Sequence, residues 1–505
     1  MKIAQQRGVF CVSCEYVSDI RYIYASHPRK KTAPFHTPPA HPAAQPAAGQ
    51  PAHSHSPRQL LAFFLQLLPL PELWKLPSLQ GRGFYERLFS PIVTLWYLMF
   101  QRLQPDSTLD KVVCDAQVGG ADALCPGLSE KLRSSATTSY SDARQRVPLA
   151  FVLESLKLQA RQILTLDPRA RWRGLLVHLL DGSTIRMRPY GDIPEHFPAH
   201  GNQSKRPAYW CLMRVVVSFC AFTGAALDCA MAAVRVSEQA LACQIILRQI
   251  LESRLFIGDR NFGVFRIVQS AVAAGSHVLL RLTESRARKL LGRSLMVGQH
   301  AVRWSPTRHD QLEPGCSKEP VEGQLLVAEI QRKGYRTHRL YLFTTLAQSA
   351  DCAAQELVAL YGVRWHIEMN LRYLKTQMRM VQLECKSAEM AQKEWVAGLM
   401  AYNLIRAAML CAALHGGGIA PLALSFSSSR RHLQNWLGRW SRGSTDWAKR
   451  WKRLLDLIAR ARLPKRRKAR PPEPRAQRHL RQSFPPLVGC RHEARQKLIA
   501  RTQES

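Results

Sequence analysis

The spacing of apolar residues changes rhythm along this chain, and each change marks a boundary. Between Gln59 and about Gln162 apolar positions recur at three- and four-residue steps, as in Ile92, Leu95, Trp96, Met99 and Leu103, and again over Leu149 to Leu164. Side chains so spaced share one face of an α-helix, so the stretch 59–165 is predicted to be helical. At Trp172 the period shortens. Leu175 to Leu180 reads as a strand ending at Asp181-Gly182, and Cys211 to Cys220 with Ala225 to Ala233 as a hairpin around Thr223-Gly224. A helix over Glu238 to Leu251, a strand over Leu255 to Gly258 ending at Asp259, a helix over Val264 to Ala274 and a strand over His277 to Leu282 follow. Three strands, a helix, a strand, a helix and a strand predict an α/β domain, a mixed sheet flanked by helices.

Residues 283 to about 340 interrupt that alternation with basic loops, Trp304, Pro306, Pro314 and Gly315, then a hairpin of Leu325 to Ile330 and Arg339 to Thr344 around Lys333-Gly334. The stretch reads as a β-rich insertion, because a helix from about Ala353 to Met380 resumes the pattern. The α/β domain is therefore expected over 172–410, and 411–505 as helical and then a basic tail that includes Lys465 to Lys468. Residues 27 to 58 are mostly Pro, Ala and His without an acidic residue, so 1–58 is expected to be disordered; a start codon assigned too far upstream would give the same stretch.

Composition narrows the partners. The chain has 505 residues, and 72 Lys+Arg against 36 Asp+Glu give a formal charge of +36. Such a surplus concentrates polyanions, with nucleic acid the leading candidate. A membrane span needs about 18–20 apolar residues. Leu60 to Leu68 is too short, and Val215 to Val234 is interrupted at Thr223, Gly224 and Asp228, so no membrane is expected. No export signal opens the chain, and 13 scattered cysteines read as reduced thiols. Cys11 and Cys14 have no second pair at zinc spacing.

Candidate chemistry lies in three carboxylates. Asp181 and Asp259 follow apolar strands where neither Gly182 nor Arg260 opens an obvious helix, which weakens a plain capping role. On a helix at about 100° per residue, Tyr361, Arg364, Glu368, Arg372 and Lys375 fall on one narrow stripe, beside an apolar stripe holding Leu360, Ile367, Leu371 and Leu374. A solvated face, with Glu368 paired to Arg364 and Arg372 for about 0.2–0.5 kcal/mol each, accounts for the charges. It leaves unexplained why one acid sits among three bases and a tyrosine, a row that suits phosphate oxygens beside a metal-bound carboxylate. Gly362 is the weak point of that helix. Carboxylates without His or Cys at metal spacing favour magnesium or manganese. A pair of such ions about 3.5–4 Å apart supports in-line phosphoryl displacement, with water (nicking) or a DNA 3′-hydroxyl (strand transfer) as nucleophile. In the helical region Ser134 to Tyr140, Arg144 and Arg146 would suit phosphates, or that region is an ordinary cap on the next domain.

Tyr361, two residues, Arg364, three residues, Glu368, six residues and Lys375 resemble the tyrosine-arginine-glutamate-lysine signature of bacterial transposases of the insertion-sequence-four type. Asp181 in Leu-Leu-Asp-Gly-Ser-Thr and Asp259 in Gly-Asp-Arg-Asn-Phe match the family's other two motifs. The resemblance implies an RNase H-like catalytic domain, a helical N-terminal DNA-binding domain, and an Asp181, Asp259, Glu368 triad holding two divalent ions, Mg2+ or Mn2+. It implies that Tyr361, Arg364 and Lys375 contact double-stranded DNA at the element's inverted ends, with Arg372 and Arg260 near the backbone. Trp304 in the insertion would stack on an extruded base or serve as a core tryptophan. The expected activity is metal-dependent end cleavage and strand transfer by a homodimer on DNA, in the bacterial cytoplasm at the nucleoid. A catalytically inactive DNA-binding relic or repressor, and an RNase H-like nuclease acting on RNA, are the alternatives.

Overall fold

A computed structural model describes residues 59–464, except 81–87, 105, 169, 200–208, 249–252, 293, 313–314, 330–338, 347–352 and 438–446, together with positions 493, 496 and 500. The expectations for residues 1–58 and for Lys465 to Lys468 lie outside the described residues, as does the Lys333-Gly334 turn. Taking helices of eight residues or more, the chain opens with α1 (Gln59–Leu67), α2 (Pro91–Leu103), α3 (Leu109–Gln117), α4 (Thr138–Arg146) and α5 (Leu149–Leu166). There follow β1 (Leu176–Met187), β2 (Cys211–Cys220), β3 (Ala226–Ala233), α6 (Glu238–Leu247), β4 (Arg254–Gly258), α7 (Phe265–Ala273), β5 (His277–Arg281) and α8 (Glu284–Leu291). Next come β6 (Gly298–Trp304), β7 (Val321–Glu329), β8 (Arg339–Thr344), α9 (Ala354–Gly362) and α10 (Trp365–Arg372). A π-helical turn at Tyr373–Gln377, β9 (Gln382–Leu383), α11 (Ala388–His415), α12 (Phe426–Leu437) and α13 (Trp447–Arg460) complete it.

All nine strands join one mixed sheet in the order β3-β2-β1-β4-β5-β8-β7-β6, with β9 paired to the far end of β1. β1, β2 and β3 run antiparallel, β1, β4 and β5 parallel, and β8, β7 and β6 form an antiparallel meander on β5. Strand alternation sorts the apolar residues into two cores. Leu179, Val217, Ile257 and Leu279 face one way, onto helices α2, α5, α9, α10 and α11. Leu180, Val216, Phe256, Val278 and Leu280 face the other, onto α6, α7 and α8.

The hairpin and the two short parallel strands fall where the apolar runs predicted. β1 does not stop at Leu180: it runs through Asp181 to Met187, because Gly182 to Met187 keep antiparallel partners from Val216 to Cys211 on β2 after β4 has ended. The β-rich stretch 283–340 extends this sheet, since β8 pairs with β5 and carries β7 and β6 onto it. The expected single helix over Ala353 to Met380 is broken. Around Gly362 the backbone turns through i→i−3 bonds, Arg364 N–H to Tyr361 O and Ile367 N–H to Arg364 O, before α10 begins.

The boundary expected at residue 410 falls inside α11, a 28-residue helix. Among the described residues α11 is the helix long and apolar enough to cross a membrane, yet 94% of its most apolar window is buried inside the protein. Helices α2 and α5 contribute to the same core as α11 and the sheet. Buried Glu394 of α11 makes ion pairs to Arg102 of α2 at 2.6 Å and to Arg144 of α4. Arg144 is therefore committed to a structural contact rather than presented to a phosphate.

Candidate active site

Register brings the two aspartates together. Leu179 of β1 and Ile257 of β4 are parallel partners, and Asp181 and Asp259 each lie two residues further on. Two steps along a strand return to the same face, so Asp181 emerges on the Leu179 side, toward α9 and α10. Asp259 stands just past the end of β4 in a turn closed by Phe262 N–H donating to its carbonyl at 3.1 Å. Its Oδ1 accepts the Asn261 N–H at 2.8 Å. Asp181 Oδ1 accepts the Gly182 N–H at 2.8 Å. Burial, followed by the charge of Asp259, pushes the Asp181 carboxyl up to about 6, with the Gly182 N–H and Arg364 working the other way.

The break between α9 and α10 sets the third side of the site. Arg364, in the turn, is half-buried and donates from Nη2 to Glu368 Oε1 at 2.7 Å. Although burial works against its charge, Tyr361, Glu368 and Asp259 together hold the Arg364 guanidinium above its ordinary range. Tyr361 closes α9 with a buried ring whose hydroxyl finds no hydrogen-bond partner among the described residues. Burial raises its phenol, against the pull of Arg364 and of Arg281 at the end of β5. Asp181, Asp259, Tyr361 and Arg364 thus share one neighbourhood, and Glu368 is tethered to it through Arg364.

Other candidates lie further out. Arg260 is exposed beside Asp259, Arg372 is exposed at the end of α10, and Lys375 is half-buried in the π-helical turn; among the described residues none of the three forms an ion pair. Trp304 is corrected. It is 5% exposed and packs edge-on against Phe343 at 4.8 Å and Phe265 at 6.3 Å, so it is a core residue with no face free for a base.

Sequence reasoning passed over Trp365, Glu238, Asn261 and Arg281. Trp365 directly follows Arg364 and is 53% exposed. At about 100° per residue it falls beside Arg372 on the stripe already drawn, so the same arithmetic could have found it. Glu238 opens α6 over the backbone of Gly182, and only tertiary structure brings it there.

Among the described residues no three His, Cys, Asp or Glu side chains converge closely enough to ligate one ion. The chemistry of the donors nevertheless fits a hard divalent cation: Asp181 and Asp259 are two mutually repelling carboxylates offering oxygen alone, with a third carboxylate one ion pair away.

Comparison with known proteins bears on the domain that holds these residues. Residues 172–404 match the transposase DDE domain family. The transposase InsG for insertion sequence element IS4 of Escherichia coli (strain K12) is 27% identical over 342 residues, covering 66% of this chain and 73% of that protein. Among solved structures, a cryo-EM structure of the piggyBac transposase synaptic complex with hairpin DNA aligns over 82% of this chain and 88% of its own at 11% identity. Its TM-score of 0.36 is too low to bear on the fold. Together the domain match over residues 172–404 and the similarity to InsG support a transposase of the insertion-sequence-four type.

Proposed function

We propose that this transposase cuts DNA at the inverted ends of an insertion sequence and joins the freed 3′ ends to target DNA. The observation that carries this reading is the meeting of Asp181 and Asp259 beside Arg364 and Tyr361 within the matched region. Asp181, Asp259 and Glu368 would hold two divalent ions, magnesium or manganese. When bound, such ions activate a hydroxyl nucleophile and stabilise the leaving oxygen of an in-line phosphoryl displacement.

The chain's own residues supply the rest. Arg364 faces the carboxylates on one side and Tyr361 on the other, so a phosphate entering there meets a guanidinium already fixed by Glu368. The unpartnered Tyr361 hydroxyl would donate to a phosphate oxygen, which removes the penalty of leaving it buried and unsatisfied. Arg260, Arg372 and Lys375 would follow the DNA backbone. Trp365 would stack on a base, and the exposed Arg450, Lys452 and Arg453 of α13 would extend the basic surface. The strand order, three antiparallel strands followed by two parallel ones across β1, supports an RNase H-like catalytic domain. We place the working form as a homodimer on DNA, in the bacterial cytoplasm at the nucleoid.

The test is cleavage of a duplex bearing the element's ends in magnesium or manganese, comparing the wild type with Asp259→Ala. Wild type should nick and the variant should only bind. If both bind and neither cuts, the chain is an inactive DNA-binding relic; preferential cutting of an RNA–DNA hybrid would point to a nuclease acting on RNA.

A further inference from the structure

A chain of polar contacts runs from α6 into the turn that presents Asp259. Glu238 is the first residue of α6, a helix capped by Ser237 Oγ, which accepts the Ala240 N–H at 3.1 Å. Its Oε2 accepts from Asn261 Nδ2 at 2.6 Å. The Asn261 backbone N–H in turn donates to Asp259 Oδ1. Gln239 grips the same residue from its side, donating to Asn261 Oδ1 at 2.7 Å and to its carbonyl at 2.9 Å.

We propose that Glu238 is a positioning residue for the second aspartate, fixing through Asn261 the turn that holds Asp259 beside Asp181. The inference rests on the reading that Asp181 and Asp259 hold metal. Three features support it. Asp259 lies beyond the last residue of β4, so no strand partner fixes its backbone, and Asn261, two residues on, ties its turn to α6. Gly182 makes room for the contact: a Cβ at that position would run into the Glu238 carboxylate. In a chain carrying +36 charge, Glu238 nevertheless makes no ion pair among the described residues, and the oxygen that bonds is spent on Asn261. Groups that orient a metal-binding side chain without touching the ion typically govern affinity by about 10–100-fold.

The experiment titrates metal-free, full-length protein with Mn2+ by calorimetry, without DNA. Glu238→Ala and Asn261→Ala should each weaken Mn2+ binding by about 10–100-fold. Glu238→Gln, whose amide oxygen still accepts from Asn261, should bind close to wild type. Wild-type affinity in Glu238→Ala overturns the proposal. So does Glu238→Gln falling as far as Glu238→Ala, because the charge and not the bond would then be acting. Asn261→Ala keeps the test decisive should Glu238→Ala fail to fold. Asp181→Asn separates the two levels: unchanged Mn2+ binding in that variant overturns the metal reading itself, whereas its loss alongside an unaffected Glu238→Ala overturns the positioning role alone.

Discussion

Replacing Asp181 with asparagine should stabilise the metal-free protein while abolishing its reaction. Asparagine keeps a carbonyl oxygen to accept the Gly182 N–H and removes only the charge. The carboxyl rises from 3.8 to about 6 on folding, chiefly through burial, with Asp259 adding to the rise. The folded state therefore binds the proton more tightly than the unfolded chain. Below the unfolded value both states are protonated and the site has no ionisation penalty. As pH rises toward 6 the unfolded chain ionises first, stability falls, and above 6 the whole penalty is present. A rise of about 2 pH units at about 1.4 kcal/mol each gives about 3 kcal/mol. Urea unfolding in excess chelator measures it. Wild type and Asp181→Asn should nearly coincide at about pH 4, and the variant should be more stable by about 3 kcal/mol at about pH 8. A difference that does not change with pH, or a wild type more stable at the higher pH, would refute the electrostatic account.

Two further perturbations separate core from site. Trp304→Ala should lower stability by about 3–5 kcal/mol in the same unfolding assay. Trp365→Ala should leave stability unchanged and weaken binding of end-bearing DNA by about 1–3 kcal/mol in a fluorescence-anisotropy titration; equal stability losses would show that both rings are core. Glu394→Ala strands Arg102 and Arg144 between α2, α4 and α11 and should destabilise the fold by about 3–5 kcal/mol. Despite burial, those arginines hold the Glu394 carboxyl below 4.5, so its contribution should be full above that pH and fade as pH falls through the folded value, measured as the wild-type minus variant difference.

What could be read from the sequence was local. The β2–β3 hairpin, β4 and β5 are largely apolar runs, and each stands within a residue or so of its predicted place. Arg364 and Glu368, four residues apart, meet as helical spacing requires. Longer inferences failed where a neighbour overrode the local signal. Asp181-Gly182 reads as a turn, yet β2 supplies partners that draw the strand onward. The stripe from Tyr361 to Lys375 assumed constant pitch, but the break near Gly362 and the π-helical turn each change the phase. Helix α11 is buried nearly all round, so it offered no stripe to detect. Helical spacing places Trp365 on the polar stripe, but nothing local shows that Trp304 is buried; the sheet covers it.

The strand extension explains how the first aspartate is presented. β1 has 12 residues and its parallel neighbour β4 only 5. β4 accompanies β1 from Leu176 to Leu179 and β2 from His178, so from Leu180 onward β2 alone accompanies it until β9 joins at Arg186. Asp181 sits where the β4 side first falls open, on backbone that β2 still holds rigid. Into that opening come the Asp259 turn, steadied from α6, and the Arg364 turn between α9 and α10. Ligands of open α/β sheets gather beyond the carboxyl ends of parallel strands, and here the unequal strand lengths make such an end in the middle of β1. A shorter β1 would leave Asp181 on a frayed terminus, and a longer β4 would fill the space with backbone. The same mismatch that defeated the turn signal at Asp181-Gly182 thus gives the first aspartate both a rigid base and an open flank.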